Sequence, residues 1–405
     1  MKILADNPVS RREFLLGGLS STAILSTGIQ SRESAQTILS GRMPSDISGI
    51  GVQQGRVRLA FNENPLGASP AAIDAVMQHK NWMNRYDYTN TLQAAIIQHH
   101  KLDIPKPSGF DFKAKGERHG LILGVGTTEI LQILALYAFM KFGETIEALP
   151  SYGQITRVGS ELLEAGFNVS ANRSPVLADG NHDLEHMSTL INDRTGLVII
   201  CNPHNPTGSL LPHNTILKFI DQVPPHVLIA IDEVYIQYVR DKNYLDFIEI
   251  AKERNNVIVL RTFSKIYGLG GMRVGYGVAH RNIIDQLSPF SMGLLGRNIL
   301  SVYAATAALG DHEHVRLSQQ TVWKGNDYLT AELKKLGASV GISHANFVWA
   351  RFGKETKQIV RQLWKRKVMV RAGIDQWDSP NHIRISTGSR SENEAFIWTL
   401  ERILR

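Results

Sequence analysis

NVIVLRTFSKIYGLGGMRVGY, Asn256 to Tyr276, sets a lysine directly behind a run of branched aliphatics. Val257 to Leu260 show no polar alternation, the pattern of a strand covered on both faces, as strands of parallel sheets are. Lys265 follows just past the end of that strand, with Thr262 and Ser264 before it, a run of glycines after it and Arg273 beyond. A lysine so placed is either a solvated turn residue or an amine positioned for chemistry.

Upstream the same grammar repeats. GLILGVG and TIEAL read as strands, TTEILQILALYAFMK as an amphipathic helix, GLVIICNP and HVLIAIDEVY as strands, and TILKFIDQV and DFIEIAKERN as helices. Strand, helix, strand in succession makes βαβ units and a mostly parallel sheet, an α/β architecture. Ligands bind such sheets beyond the carboxyl ends of the strands. Asn205, Asp232 and Lys265 stand there, behind three successive apolar runs and roughly 30 residues apart, the length of one βαβ unit. After about Ser288 the pattern changes to one long helical tract, NILSVYAATAAL through YLTAELKKLG. Strands FVWARF, VMVRA and HIRIST and a final helix, ENEAFIWTLERIL, then predict a second, smaller α+β domain.

The 405 residues suffice for two domains of ordinary size. The single cysteine, Cys201, excludes an internal disulfide framework, and no Cys/His spacing suggests a zinc site, so no metal is expected. His312 and His314, in DHEHVR, lack a carboxylate or Cys array at ligand spacing and are expected to be solvated. The net charge of +7 is scattered along the chain. Without clustered Lys/Arg and interleaved aromatics it argues against nucleic acid and suits anionic small molecules. No G-x-G-x-x-G follows the first strand with an acidic residue about 20 positions on, which excludes a dinucleotide fingerprint.

SRREFLLGGLSSTAILSTG, Ser10 to Gly28, joins a twin arginine and a phenylalanine to a modestly apolar segment. It resembles a bacterial twin-arginine export signal. The segment is short and polar against the roughly 20 apolar residues that span a bilayer, so no stable membrane insertion is expected. Residues 1–45 are therefore read as an export signal and disordered linker, used transiently by the twin-arginine translocation machinery. The expected location is periplasmic, the alternative being a cytoplasmic protein with a basic N-terminus.

Asp232, at the end of LIAID, is costly to bury charged unless a cation faces it, and a pyridinium nitrogen is such a cation. A lysine amine forms a Schiff base with an aldehyde, and desolvation and positive neighbours free that amine by lowering its pKa. Thr262, Ser264, Arg273 and the backbone of GVGTTE at a helix start suit a dianionic phosphate. Aldehyde, ring nitrogen and phosphate together describe pyridoxal 5′-phosphate (PLP).

The motifs LAFNENPLGASP, GVGTTEI, CNPHNPTG, IDEVY, RTFSKIYGLGGMRVGY and IRISTG occur in that order from about Leu59 to the C-terminus. With them the chain resembles the fold-type I, class I/II PLP-dependent aminotransferases, and within them the histidinol-phosphate branch. The resemblance implies a large PLP-binding domain (81–300) with a mostly parallel seven-stranded sheet flanked by helices. It adds an N-terminal arm (46–80) associated with a small C-terminal α+β domain (301–405). It implies that Lys265 is the Schiff-base lysine, that Asp232 pairs with the ring nitrogen, and that Asn205 and Tyr235 bond the ring oxygen. By the same likeness Tyr152 stacks on the ring, and Thr127, Thr128, Thr262, Ser264 and Arg273 meet the phosphate. Tyr86 matches a tyrosine lent to the neighbouring subunit's phosphate, which implies a homodimer. Arg384, Arg371 and Asn64 match substrate-binding positions. The implied reaction moves an amino group from a small anionic amine, histidinol phosphate-like or an amino acid, to a 2-oxo acid; the alternative is a PLP-dependent decarboxylase, lyase or racemase on the same fold. The chain departs from the family where RYDYTN lacks a proline, where Thr128 replaces a common aspartate, and where Arg297 stands in a stretch expected to be small and polar.

Overall fold

The apolar runs form one sheet. In a computed structural model, which describes residues 47–87, 89–102 and 120–405, a short strand β1 (Val57–Arg58) is followed by β2 (Leu121–Val125), β3 (Glu144–Leu149), β4 (Ser170–Pro175), β5 (Thr195–Cys201), β6 (Leu228–Asp232), β7 (Val257–Thr262) and β8 (Val274–Ala279). The sheet has seven strands in the order β2-β8-β7-β6-β5-β3-β4. β7, β6, β5, β3 and β4 run parallel, and β8 is antiparallel to both its neighbours. The twin-arginine stretch lies outside the described residues. Among those described, no helix is long and apolar enough to cross a membrane.

Two cores explain why the central runs carry no alternation. Ile229 and Ile231 of β6, with Val257 and Val259 of β7, enter one core; Leu228, Ala230, Ile258 and Leu260 enter the other. Helices Thr91–His99, His213–Gln222 and Ile299–Leu309 close the first, and Gly126–Lys141, Gln154–Glu164 and Arg281–Leu287 close the second. The helix Gly126–Lys141 was expected to be amphipathic. Instead Ile130, Leu131, Ile133, Leu134, Ala135, Ala138 and Phe139 are all buried, because it packs on the sheet and on the helix Gln154–Glu164 together. β4 carries the polar sequence SANRSP, in which only Ser174 is buried. No apolar run marks it, and a polar strand suits the edge of a sheet.

The single helical tract expected beyond Ser288 is two helices, Ile299–Leu309 and His312–Lys335. Asp311 separates them: its carboxylate accepts from the His314 backbone N–H at 3.1 Å and from Ser69 Oγ at 2.6 Å. The cap restarts the helix and ties it to the N-terminal arm. His312 is exposed as expected, but His314 is buried, within 3.4 Å of both Asn64 Nδ2 and Ser318 Oγ. Facing the arm rather than solvent, it corrects the solvated reading. No metal-holding cluster of His, Cys, Asp or Glu occurs among the described residues.

The C-terminal strands are β9 (Ser339–Val340), β10 (Phe347–Arg351), β11 (Val368–Met369), β12 (Arg371–Ala372) and β13 (His382–Ser386). They build an antiparallel sheet in the order β12-β13-β10-β9, while β11 pairs in parallel with β1. The run VMVRA is thus shared between two sheets. Val57 and Leu59 of the N-terminal arm bury in one core with Leu329, Val348, Ile383 and Phe396. The arm thereby stands between this sheet and Lys265.

Candidate active site

Beyond the carboxyl ends of β5, β6 and β7 opens a cavity of about 380 Å³. Lys265, Asp232, Tyr235, Asn205, Thr127, Thr128, Tyr152, Thr262, Ser264 and Arg273 all line it. Parallel strands entering from one side bring these residues together across more than a hundred positions of sequence.

Asp232 closes β6, is 5% exposed, and its Oδ1 has no partner among the described residues. Burial pushes its pKa up to about 7, against the Val234 backbone N–H and the Lys265 charge. An uncompensated buried carboxylate favours a cationic N–H partner. For Lys265, burial and then the Arg384 charge bring the pKa down to about 8, Arg273 adding to the effect and Glu63 and Asp232 opposing it. Its Nζ donates to the Phe61 carbonyl at 3.3 Å and lies 5.8 Å from the centre of the Tyr235 ring. The buried Tyr235 hydroxyl accepts from Asn62 Nδ2 at 2.9 Å, and burial raises its pKa. Asn205 Oδ1 accepts from Arg384 Nη1 at 2.7 Å.

An anion cradle occupies one side. Gly126, with φ +66°, opens the helix Gly126–Lys141, and a Cβ there would come within 2.5 Å of Arg273 Nη2. A Cβ on Gly275 would come equally close to the Thr127 backbone nitrogen. These two glycines let the helix start and the guanidinium share one spot. Arg273 donates to the Gly270 carbonyl at 3.0 Å and to Thr128 Oγ1 at 3.4 Å. The Ser264 backbone N–H donates to Thr262 Oγ1 at 3.0 Å. Glu129 in the helix's first turn is turned back onto the Val125 N–H at 2.6 Å. Free N–H groups, a helix N-terminus and a guanidinium make a site for a dianion.

At another side Arg371 of β12 stands directly opposite Arg384 of β13. Like charges in register across two strands repel unless an anion joins them. Arg384 is buried, donates from Nη2 to the Ala60 carbonyl at 2.9 Å, and lies 4.7 Å from the Trp377 ring centre. Burial brings its pKa down to about 10, and Arg371 acts in the same direction. Arg371 sits 4.7 Å from the Phe61 ring centre and donates to the Ala60 carbonyl at 3.4 Å. The pair contacts the cavity through its neighbours Phe61 and Asn205.

Of the expected site residues, Asn64 and Tyr86 do not line this cavity, Tyr86 being expected at the neighbouring subunit's phosphate; Arg297 does not line it either. The amide of Asn64 is spent on Ile266 O (2.7 Å), Ser318 Oγ (2.8 Å) and the Leu66 N–H (2.9 Å), pinning the arm. Tyr86 is 73% exposed and does not line the cavity. Arg297 contacts Gln93, whose amide oxygen, turned towards it, accepts from the guanidinium. Conversely, Phe61 and Glu63 line the cavity and Asn62 holds Tyr235, roles that LAFNENPLGASP gives no local signal for.

The comparisons agree with this geometry. Residues 55–400 match the model of the family described as aminotransferase class I and II. A histidinol-phosphate aminotransferase of Moorella thermoacetica is 36% identical over 86% of this chain and 85% of its own length. One from Nitrosococcus oceani is 34% identical over 87% and 90%. The fold is shared with the solved histidinol-phosphate aminotransferase of Sinorhizobium meliloti, at a TM-score of 0.76, 23% identity, and coverage of 86% of this chain and 91% of that one. Over most of its length, and around a lysine, an aspartate and an anion cradle at the carboxyl edge of one parallel sheet, the chain belongs to the class I and II aminotransferases.

Proposed function

We propose that the chain is a PLP-dependent transaminase whose amino donor is an anionic primary amine, histidinol phosphate-like or an amino acid, and whose acceptor is a 2-oxo acid. The observation that carries this reading is the Lys265 amine, of lowered pKa, facing the partnerless Asp232 Oδ1 across a cavity with a built anion cradle. The cavity fits PLP by its chemistry. Arg273, Ser264 and the helix start at Thr127 and Thr128 would hold the phosphate, Asp232 the ring nitrogen, Tyr235 and Asn205 the ring oxygen, and Tyr152 a ring face. When bound, PLP supplies an aldehyde for the amine and a ring that takes up electrons from a deprotonated carbon.

The chain's own residues do the rest. Asp232 holds a proton on the ring nitrogen. Lys265 would take the proton from the donor's α-carbon as general base and deliver it, as general acid, to the carbon that carried the cofactor's aldehyde. Arg384 and Arg371 orient the donor by its anionic end, which decides which bond at that carbon breaks. Arg384→Ala should raise KM for the donor roughly 30-fold, corresponding to about 2 kcal/mol for one lost charged contact while Arg371 remains. Steady-state kinetics on the donor found in a screen of amino acids and histidinol phosphate checks this. An unchanged KM places the anion site elsewhere. Release of carbon dioxide without an oxo product assigns a decarboxylase instead.

The homodimer belongs to the same proposal: Tyr86, exposed in the single chain, would complete the phosphate site of the neighbouring subunit. So does export, supported by the twin arginine Arg11–Arg12 and the apolar segment behind it. A fusion of residues 1–45 to a folded reporter is expected in the periplasm, and Arg11→Lys with Arg12→Lys is expected to stop it. Retention of the unmodified fusion in the cytoplasm rejects the signal.

A further inference from the structure

Behind Asp232, on the side of the helix Gln154–Glu164, lies a second cavity of about 20 Å³. It is lined among others by Asp232, His182, Gln154 and Cys201. Three polar atoms of these residues have no partner among the described residues: Asp232 Oδ1, His182 Nδ1 and Gln154 Nε2. Each residue is more than nine-tenths buried, at 5%, 3% and 8% exposure. His182 Nε2 accepts the Cys201 backbone N–H at 3.2 Å. Burial, then the neighbouring His204, keeps the ring neutral. With Nε2 accepting, the proton of that neutral ring sits on Nδ1. The cavity therefore gathers two donors, His182 Nδ1–H and Gln154 Nε2–H, and one acceptor, Asp232 Oδ1.

A water molecule satisfies all three, accepting two hydrogen bonds and donating one. The space suffices, since a water needs roughly 10–15 Å³ and two to four polar partners. We propose that a water bound in this cavity joins His182 and Gln154 to Asp232, making His182 and Gln154 positioning residues for the carboxylate that faces the cofactor ring. A carboxylate oxygen has two lone pairs, so Oδ1 can take the ring N–H and the water proton together. The catalytic half of the proposal rests on the transaminase reading; the water site does not. Titratable groups near Asp232 are Lys265, Cys201 and Tyr235. Glu147 also lines the small cavity, but its carboxylate is held by Ser151 Oγ and the Thr156 N–H.

Removing either donor loosens the water that donates to the ionised carboxylate, and weakening that hydrogen bond raises the carboxylate's pKa. In the holoenzyme, His182→Leu and Gln154→Leu should each lower kcat roughly tenfold at unchanged donor KM, and move the acid limb of the kcat profile up by on the order of one pH unit. His182→Asn, whose side-chain N–H can stand in for the ring Nδ1–H, should return the limb towards its original position. A crystal structure of the holoenzyme should show an ordered water bonded to all three atoms. Should His182→Leu fail to fold, Gln154→Leu decides alone. A dry cavity, or an unmoved acid limb in a folded variant, overturns the proposal. A native protein that turns over no donor overturns the transaminase reading instead, and the crystal structure then judges the water site by itself.

Discussion

Lys265→Ala is expected to lower transamination by roughly 10⁴-fold, the upper end of what a positioned acid/base group contributes. The fold should survive, because among the described residues the amine bonds only the Phe61 carbonyl, at 3.3 Å. With its pKa brought down to about 8, about a tenth of the amine is neutral at pH 7, against about one part in 3,000 for an ordinary lysine. The sign follows: capture of PLP by the apoenzyme should quicken as pH rises through about 8, where the neutral amine becomes the main form. Borohydride reduction and peptide mapping should find the pyridoxyl group on Lys265 in the native protein and on no lysine in the variant. An adduct on another lysine would reject the assignment.

The sheet was legible because parallel strands buried on both faces cannot alternate. LVIIC, LIAID and VIVL announced themselves, and the residues just beyond them are the ones that line the cavity. β4 was not legible, since an edge strand with a single buried side chain needs no apolar run. The break at Gly310 was missed because helix-forming sequence stands on both sides of it, while Asp311 acts through the distant Ser69. The site followed the same division. Asp232 and Lys265 could be read from their positions behind strands, whereas Phe61 and Glu63 reach the cavity, and Asn62 reaches Tyr235, only because the arm folds back across it. Arg371 and Arg384 were found by likeness. Their meaning as a repelling cross-strand pair needed the register.

Asp232→Ala should separate turnover from cofactor content. The cradle of Arg273, Ser264 and the helix start at Thr127 is untouched by the change, so most of the binding energy for a phosphorylated cofactor stays. What is lost is the charge that keeps the ring nitrogen protonated, and with it the ring's capacity to hold electrons as the α-proton leaves. Deleting one preorganised electrostatic partner costs roughly 10²–10³-fold in kcat; a full ionic partner at 5% exposure places the expectation at the upper end. Burial holds Asp232 at a pKa of about 7, so the carboxylate becomes protonated as pH falls below that value. PLP binding to the apoenzyme should therefore weaken as pH falls through about 7, and in Asp232→Ala that dependence should vanish, binding at every pH staying near the low-pH level of the native protein, which the phosphate cradle sustains. Measuring kcat and bound cofactor on the same samples distinguishes the roles: a variant that loses PLP yet turns over normally per cofactor bound would make Asp232 a structural residue, and the proton on the ring would then need another keeper, which no other carboxylate among the residues lining the cavity except Glu63 could be. Glu63 is paired with Arg58 at 2.6 Å and its side chain is half exposed, so water satisfies it, whereas Asp232 is buried with Oδ1 unpartnered among the described residues.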